Sequence, residues 1–326
     1  MLVDSYGRLH DNLRISVTDR CNIRCYYCMP EDVKFGPREE ILRFEEIERL
    51  VRVMTDLGVS KIRLTGGEPL LRKDLARLVS LLVSTDGIRD VSLTTNAVLL
   101  AAQAADLYAA GLRRINIHLD TLKPERFAQI TRRDEFDRVM AGIEACLRVG
   151  IKVKLNAVAL KGVNEDDIVA LAQFGRERDI EVRYIEFMPL DSQGIWDKSR
   201  VLLADDMISM LEREISPLIE VPDQDPRAPA TEYRFADGVG MVGFIASVSR
   251  PFCGNCNRIR LTADGKLRYC LFAIEETDLR PLLRNGGSDA EIAEAVRVTV
   301  TSKWAGHEIG RAQFVPPPRP MYAIGG

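Results

Sequence analysis

The chain has 326 residues, 46% of them hydrophobic and 29% charged, the composition of a folded protein and not of a disordered one. Lys and Arg number 45 against 48 Asp and Glu, a net charge of −3, which excludes a globally basic nucleic-acid binder. Seven Cys, an odd count, argue against a disulfide framework and for thiolate-bound metal in a reducing compartment. No apolar run approaches the ~20 residues that cross a bilayer. The start, Met1-Leu2-Val3-Asp4-Ser5-Tyr6, lacks a basic stretch followed by an apolar one, so a cytoplasmic protein without membrane contact is expected.

In chain order, short β-branched or apolar runs at 13–17, 61–64, 90–94, 114–119, 151–158 and 180–186 predict strands. Ile47, Leu50, Val51, Met54 and Leu57 recur at helical spacing, so 45–57 predicts a helix that Gly58 stops. Helices are also predicted over 72–83, 98–110, 135–149 and 165–178, with Gly111 and Gly150 ending two of them. Six strands alternating with helices imply parallel βα units and an α/β fold. Six units are too few for an eight-stranded barrel, so the expected fold is a partial, TIM-like (β/α)6 barrel; an open doubly wound sheet competes.

The alternation breaks near residue 190, and 204–215 predicts one more helix. The division drawn from this is a barrel over 1–215 and an α+β extension over 216–326. In the extension, 231–270 reads as irregular β-like segments bearing cysteines, and helices are expected over 275–284 and 288–303. The end, 316–326, holds four prolines and is predicted to be an extended tail that cannot be helical.

Two cysteine groups carry the chemistry. Cys21, Cys25 and Cys28 form CxxxCxxC in the loop after the first strand, close enough in sequence to wrap one metal centre. Full protein ligation of a cubane takes four Cys; three leave one iron open, as a catalytic centre requires. A structural zinc site or plain buried thiols are the alternatives, though no fourth zinc ligand stands nearby. Cys253, Cys256 and Cys270 are a second group of three, and Cys146 falls on the apolar face of a predicted helix as a core thiol. Arg258 and Arg260 share one face of an extended segment after Cys256, and arginine forks suit phosphate oxygens.

CxxxCxxC, with Tyr27 before its last Cys, resembles the signature of the radical S-adenosylmethionine (SAM) superfamily. Thr65-Gly66-Gly67-Glu68-Pro69 after the second strand resembles its site for the methionine end of SAM. Adding Cys253-Gly254-Asn255-Cys256-Asn257-Arg258-Ile259-Arg260 and the terminal Gly325-Gly326 narrows the resemblance to the MoaA-type GTP 3′,8-cyclases, lyases that open molybdenum cofactor biosynthesis. The resemblance implies two [4Fe–4S] clusters and SAM as cofactors. It implies SAM contacts at Tyr27, Gly67, His118 and Met188, and GTP contacts at Arg14, Arg63, Thr94, Lys154, Arg183, Arg258, Ile259 and Arg260. It also implies a Gly-Gly end that reaches the active site. In the implied reaction a 5′-deoxyadenosyl radical takes the hydrogen from C3′ of GTP, and C3′ then joins C8, giving (8S)-3′,8-cyclo-7,8-dihydroguanosine 5′-triphosphate.

Two positions depart from the family pattern. His118 stands where serine is common, and Ala97 where glycine often follows Thr-Thr-Asn. The resemblance further implies a low-potential electron donor and, as the next enzyme of the pathway, cyclic pyranopterin monophosphate synthase; a homodimer is the commonest soluble oligomer. Two other readings compete. One is a different radical SAM enzyme with an auxiliary cluster, such as a peptide-modifying one; the other is a zinc-stabilised nucleic-acid module, against which the net charge speaks.

Overall fold

A computed structural model describes residues 1–191 and 193–325. Its first part alternates as the periodicity requires: β1 (Asn12–Ser16), α1 (Phe44–Asp56), β2 (Lys61–Thr65), α2 (Leu75–Val83), β3 (Asp90–Thr95), α3 (Ala104–Ala109) and β4 (Arg114–His118). Then come α4 (Pro124–Thr131), α5 (Phe136–Val149), β5 (Lys152–Ala159), α6 (Ile168–Arg178), β6 (Glu181–Glu186) and α7 (Ala204–Glu214). Ile47, Leu50, Val51 and Met54 bury one stripe of α1, as an amphipathic helix against a sheet must. Gly58, Gly111 and Gly150 all take positive φ at the ends of helices, which glycine adopts without a Cβ clash.

The remaining strands are β7 (Leu218–Glu220), β8 (Thr231–Phe235), β9 (Met241–Ile245), β10 (Arg258–Leu261), β11 (Lys266–Arg268) and β12 (Thr277–Asp278); α8 (Arg280–Arg284), α9 (Asp289–Thr301) and α10 (Met321–Ile324) complete the chain. All twelve strands form one sheet, in the order β12-β11-β10-β1-β2-β3-β4-β5-β6-β9-β8-β7. From β10 through β1–β6 to β9 the pairing is parallel. The six predicted strands are therefore the middle of this run, and β9 and β10 extend it on either side. β9 and β10 are not paired with each other among the described residues, so this is a partial, unclosed barrel. The segment that joins them carries Cys253 and Cys256.

Several expectations need correction. The β-like stretch 231–270 holds regular strands of the same sheet, because β9 and β10 find parallel partners in β6 and β1. Helix α4 was not anticipated; its short buried set, Phe127, Ile130 and Thr131, gives too little periodicity to read. The helix expected over 98–110 is a 3₁₀ turn at Leu100–Ala102 followed by α3. Within 275–284 only Arg280–Arg284 is helical, since Pro281 fits the first turn of a helix and Thr277–Asp278 pairs with β11 instead. The tail is not wholly extended: Met321–Ile324 is a helical turn closed by the Gly325 amide on the Met321 carbonyl at 2.9 Å. Proline constrains itself and the residue before it, and Pro320 precedes the turn. Gly326 lies outside the described residues. Among those residues no helix is long and apolar enough to cross a membrane.

Candidate active site

The GG pair of Thr65-Gly66-Gly67 is fixed by close approach of backbone to backbone. A Cβ on Gly67 would stand 2.4 Å from the Arg20 carbonyl oxygen, and one on Gly66 2.5 Å from that of Thr18. The Gly67 amide donates to Thr18 O at 2.8 Å and the Glu68 amide to Arg20 O at 2.7 Å. The motif thus clamps the loop that leads from β1 into Cys21. Glu68 is buried and accepts from Thr95 Oγ1 (2.6 Å), the Asn96 amide (2.7 Å) and the Leu70 amide (2.9 Å). Burial lifts its carboxyl to about 7 against those bonds. The side chain of Asn96 reaches Cys21 Sγ at 3.7 Å and Asn22 at 2.8 Å, so β3 also braces the cysteine loop.

Cys21, Cys25 and Cys28 line a cavity of about 220 Å³ together with Tyr27, Gly67, His118 and Met188. Burial pushes the Cys21 thiol up to about 11 and Cys28 to about 12, and raises Cys25 well above the ordinary thiol value. The Ile23 amide and the Asn96 side chain oppose this at Cys21, and the Tyr322 amide opposes it at Cys28. Tyr27 Oη donates to Asp120 Oδ2 at 2.5 Å and lies 2.7 Å from His118 Nε2. Burial disfavours the His118 imidazolium, but the adjacent Asp120 carboxylate prevails and raises its pKa.

A second cavity of about 170 Å³ shares Thr94, Asn156, Ile185, Met188 and Met321 with the first, so the two adjoin across a common wall. At its far end stand Cys253, Cys256 and Cys270, and its walls carry Arg14, Arg63, Arg183, Arg258 and Arg260. Strand register builds that wall: Arg14 lies opposite Arg260 on one side and Arg63 on the other. Like charges directly across strands repel. Arg63 reaches Ser92 Oγ at 3.3 Å, Arg258 reaches Cys256 Sγ at 3.5 Å and Arg260 reaches the Gly325 carbonyl at 2.6 Å. Among the described residues, Arg14, Arg63, Arg258 and Arg260 have no carboxylate in salt-bridge range. Burial, then neighbouring arginines, bring Arg63 and Arg260 down to about 9 and lower Arg14 as well. Burial raises the Cys256 thiol, yet Arg258 and Lys303 outweigh it and hold it at about 6.

The residues expected to meet GTP do not all face this space. Lys154 and Ile259 line neither cavity. Ile259 is fully buried in the core. Lys154 pairs with Glu181 and, at 3.4 Å, with Glu232; Arg183 pairs with the same two carboxylates, Glu232 at 2.6 Å. Gly325 packs against Ser16 and Thr65. Ala97 holds φ +63, the left-handed conformation that explains glycine at this place.

Sequence reasoning passed over Glu68, Asn96, Asp120, Glu181, Glu232 and Lys303, and also the N-terminal hook. In the hook, Arg8 donates to Asp4 (2.6 Å) and to the carbonyls of Cys253, Trp304 and Ala305 (2.7, 2.5 and 2.7 Å). The Glu of the GGEP motif was in view as part of it; the others looked like ordinary solvated polar residues.

Residues 15–175 match the family model of the radical SAM superfamily, and residues 180–309 match Molybdenum Cofactor Synthesis C. The chain is 48% identical to the GTP 3′,8-cyclase of Rhodopirellula baltica, over 100% of this chain and 92% of that one. It is 44% identical to the GTP 3′,8-cyclase of Streptomyces coelicolor, over 100% and 96%. Among solved structures, Streptococcus suis SuiB bound to S-adenosylmethionine superposes with a TM-score of 0.60 at 16% identity, over 89% of this chain and 68% of that one. That likeness is one of fold.

Proposed function

The chain belongs to the GTP 3′,8-cyclase family, and from that premise we propose that it is a radical SAM lyase that converts GTP to (8S)-3′,8-cyclo-7,8-dihydroguanosine 5′-triphosphate for molybdenum cofactor biosynthesis. The observation that carries this reading is the wall formed by buried Arg260 and half-buried Arg14, Arg63 and Arg258, which have no carboxylate partner among the described residues, in a cavity that holds one cysteine triad and adjoins the cavity of the other. Buried cations need anions, and a triphosphate of about four negative charges offers charge-assisted hydrogen bonds to several forks at once.

The residues fit two [4Fe–4S] clusters. Each triad offers three thiols at the edge of a cavity, one short of full ligation of a cubane, so a cluster held there would keep one iron without a protein thiolate. Among the described residues no group of His, Cys, Asp or Glu gathers tightly enough for a single ion, whereas a cluster spreads its thiolates over separate irons. Cys21, Cys25 and Cys28 would hold the first cluster, and Cys253, Cys256 and Cys270 the second. When bound with SAM, the first supplies reductive cleavage of SAM, the source of the radical that attacks C3′.

The chain's own part is placement. Gly67, His118, Tyr27 and Met188 line the half of the cavity we assign to SAM. Arg14, Arg63, Thr94, Arg183, Arg258 and Arg260 line or border the half we assign to GTP. Lys154 enters that assignment through its shared carboxylates with Arg183, and Ile259 through its backbone in β10. Gly325 is held by Arg260, and we assign the Gly-Gly end to the active site. We further assign residues 1–215 to the barrel and 216–326 to the extension. The reading includes cytoplasmic location, a low-potential electron donor, transfer to cyclic pyranopterin monophosphate synthase, and a homodimer.

A peptide-modifying radical SAM enzyme is the second reading. The unpaired arginines favour a nucleotide over a peptide. Anaerobic incubation with SAM, reductant and GTP, followed by detection of 5′-deoxyadenosine and the cyclised nucleotide, tests the proposal. Uncoupled 5′-deoxyadenosine with intact GTP would refute it.

A further inference from the structure

Lys303 follows α9 and is 4% exposed. Its Nζ donates to the Arg258 carbonyl at 2.8 Å and stands 3.4 Å from both the Cys256 carbonyl and Cys256 Sγ. No carboxylate lies within 4 Å of it among the described residues. Asp4, the carboxylate of the adjoining N-terminal hook, is already taken by Arg8 at 2.6 Å and by His10 at 3.0 Å. A buried ammonium without a counter-ion is costly. Among the described residues, the anionic chemistry beside this one is thiolate sulfur, Cys256 Sγ at 3.4 Å.

The same corner is held from two further sides. The carbonyl of Cys253 accepts from Arg8 at 2.7 Å, and a Cβ on Gly306 would stand 2.9 Å from Cys253 Cβ, so the stretch after α9 packs against the cysteine loop. Lys303 thus stands beside a cysteine loop that is packed from two sides, with its Nζ on two backbone carbonyls and 3.4 Å from the sulfur of Cys256.

We propose that Lys303 is the counter-charge of the second cluster, a positioning residue that raises the reduction potential of that cluster and stabilises its binding. The inference rests on the reading that Cys253, Cys256 and Cys270 hold an iron–sulfur cluster. A cluster held by three thiolates gains a further negative charge when it takes up one electron. Nearby cations and hydrogen bonds to sulfur favour that reduced form.

The test is a dithionite titration of the anaerobic holoenzyme, followed by electron paramagnetic resonance. The second cluster's signal is identified as the one absent from the Cys253→Ser/Cys256→Ser/Cys270→Ser variant. Lys303→Met is expected to lower the equilibrium constant for reduction at least tenfold, a shift of 59 mV to lower potential for one electron, with Lys303→Arg close to wild type. A Lys303→Met enzyme with full iron and an unchanged second-cluster potential overturns the inference. Should Lys303→Met lose the second cluster's iron, Lys303→Arg decides: retained iron supports a counter-charge, and equal loss makes Lys303 a packing residue. Wild-type protein with iron for one cluster only would instead refute the two-cluster reading itself.

Discussion

Arg14→Gln separates stability from function at one residue. Arg14 stands in register between Arg260 and Arg63, and burial and the charges of Arg260, Arg258 and Arg63 all work against its guanidinium. Two unit charges at roughly 6–8 Å repel by about 2–3 kcal/mol at an effective dielectric of 20. Removing Arg14 relieves at least two such pairs, while water in the cavity and the lost packing of its stem reduce the gain to roughly 1–2 kcal/mol. The cluster-free variant should therefore melt a few degrees above wild type, at roughly 1–4 °C. GTP binding should move the other way. One lost charged hydrogen bond costs about 1.5–3 kcal/mol, or roughly 10–150-fold in Kd, while guanosine affinity holds. Differential scanning calorimetry and equilibrium titration with GTP and guanosine measure both halves. A variant less stable than wild type, or one that loses guanosine and GTP alike, refutes the anion-site argument.

Four further outcomes are expected. Replacing Cys253, Cys256 and Cys270 with serine should reduce about eight iron per anaerobically prepared chain to about four while SAM cleavage persists; stoichiometric zinc in the wild type would end the cluster reading. Glu232→Gln removes a carboxylate 2.6 Å from Arg183 that competes with phosphate, so GTP should bind tighter by about 1 kcal/mol, and weaker binding would show that Glu232 orients Arg183. In cluster-free protein, Cys256 should be the thiol first alkylated by iodoacetamide. Its pKa is depressed to about 6, so reactivity should be present above pH 6 and fall away below it, whereas Cys146, raised to about 12 by burial, stays inert. Mass spectrometry at pH 7 that finds Cys256 no faster than Cys146 contradicts this. Deleting Gly325 and Gly326 should leave both clusters in place and abolish GTP cyclisation, and full-rate product from the truncated enzyme would make the tail a mere chain end.

The parts of this fold that could be read from sequence are those set by local rules. Strands β1–β6 announce themselves by β-branched runs, and the helices between them by spacing and by glycine stops. The first triad was legible because Cys21, Cys25 and Cys28 crowd into one short loop, and the second because a CxxC at Cys253 and Cys256 is followed by Cys270 in the same chain. What could not be read depends on pairing between distant segments. Nothing local says that Arg260 will lie beside Arg14, because that contact exists only once β10 pairs with β1. Arg8, Lys303 and Glu232 look like solvated charges until burial is known. Ala97, by contrast, was flagged as a departure from a glycine position, and its φ of +63 gives the reason such a position exists.

The tail shows how a local rule can be right and its conclusion wrong. Prolines 316, 317, 318 and 320 do exclude a helix where they stand, but their restriction reaches backwards along the chain and not forwards. Met321–Ile324 is free to turn, and the Met321 amide is anchored on the Leu190 carbonyl at 3.0 Å. Amides in the first turn of a helix have no partner within it. The Tyr322 amide is therefore free of the turn's own bonds, and its effect on the Cys28 thiol is to lower it against the larger effect of burial. A fully extended tail passing the same point would not present its amides in this way. The turn at the end of the chain thus brings Tyr322 to the first cysteine triad and Gly325 to Arg260 beside the second, so the same few residues touch both halves of the proposed active site.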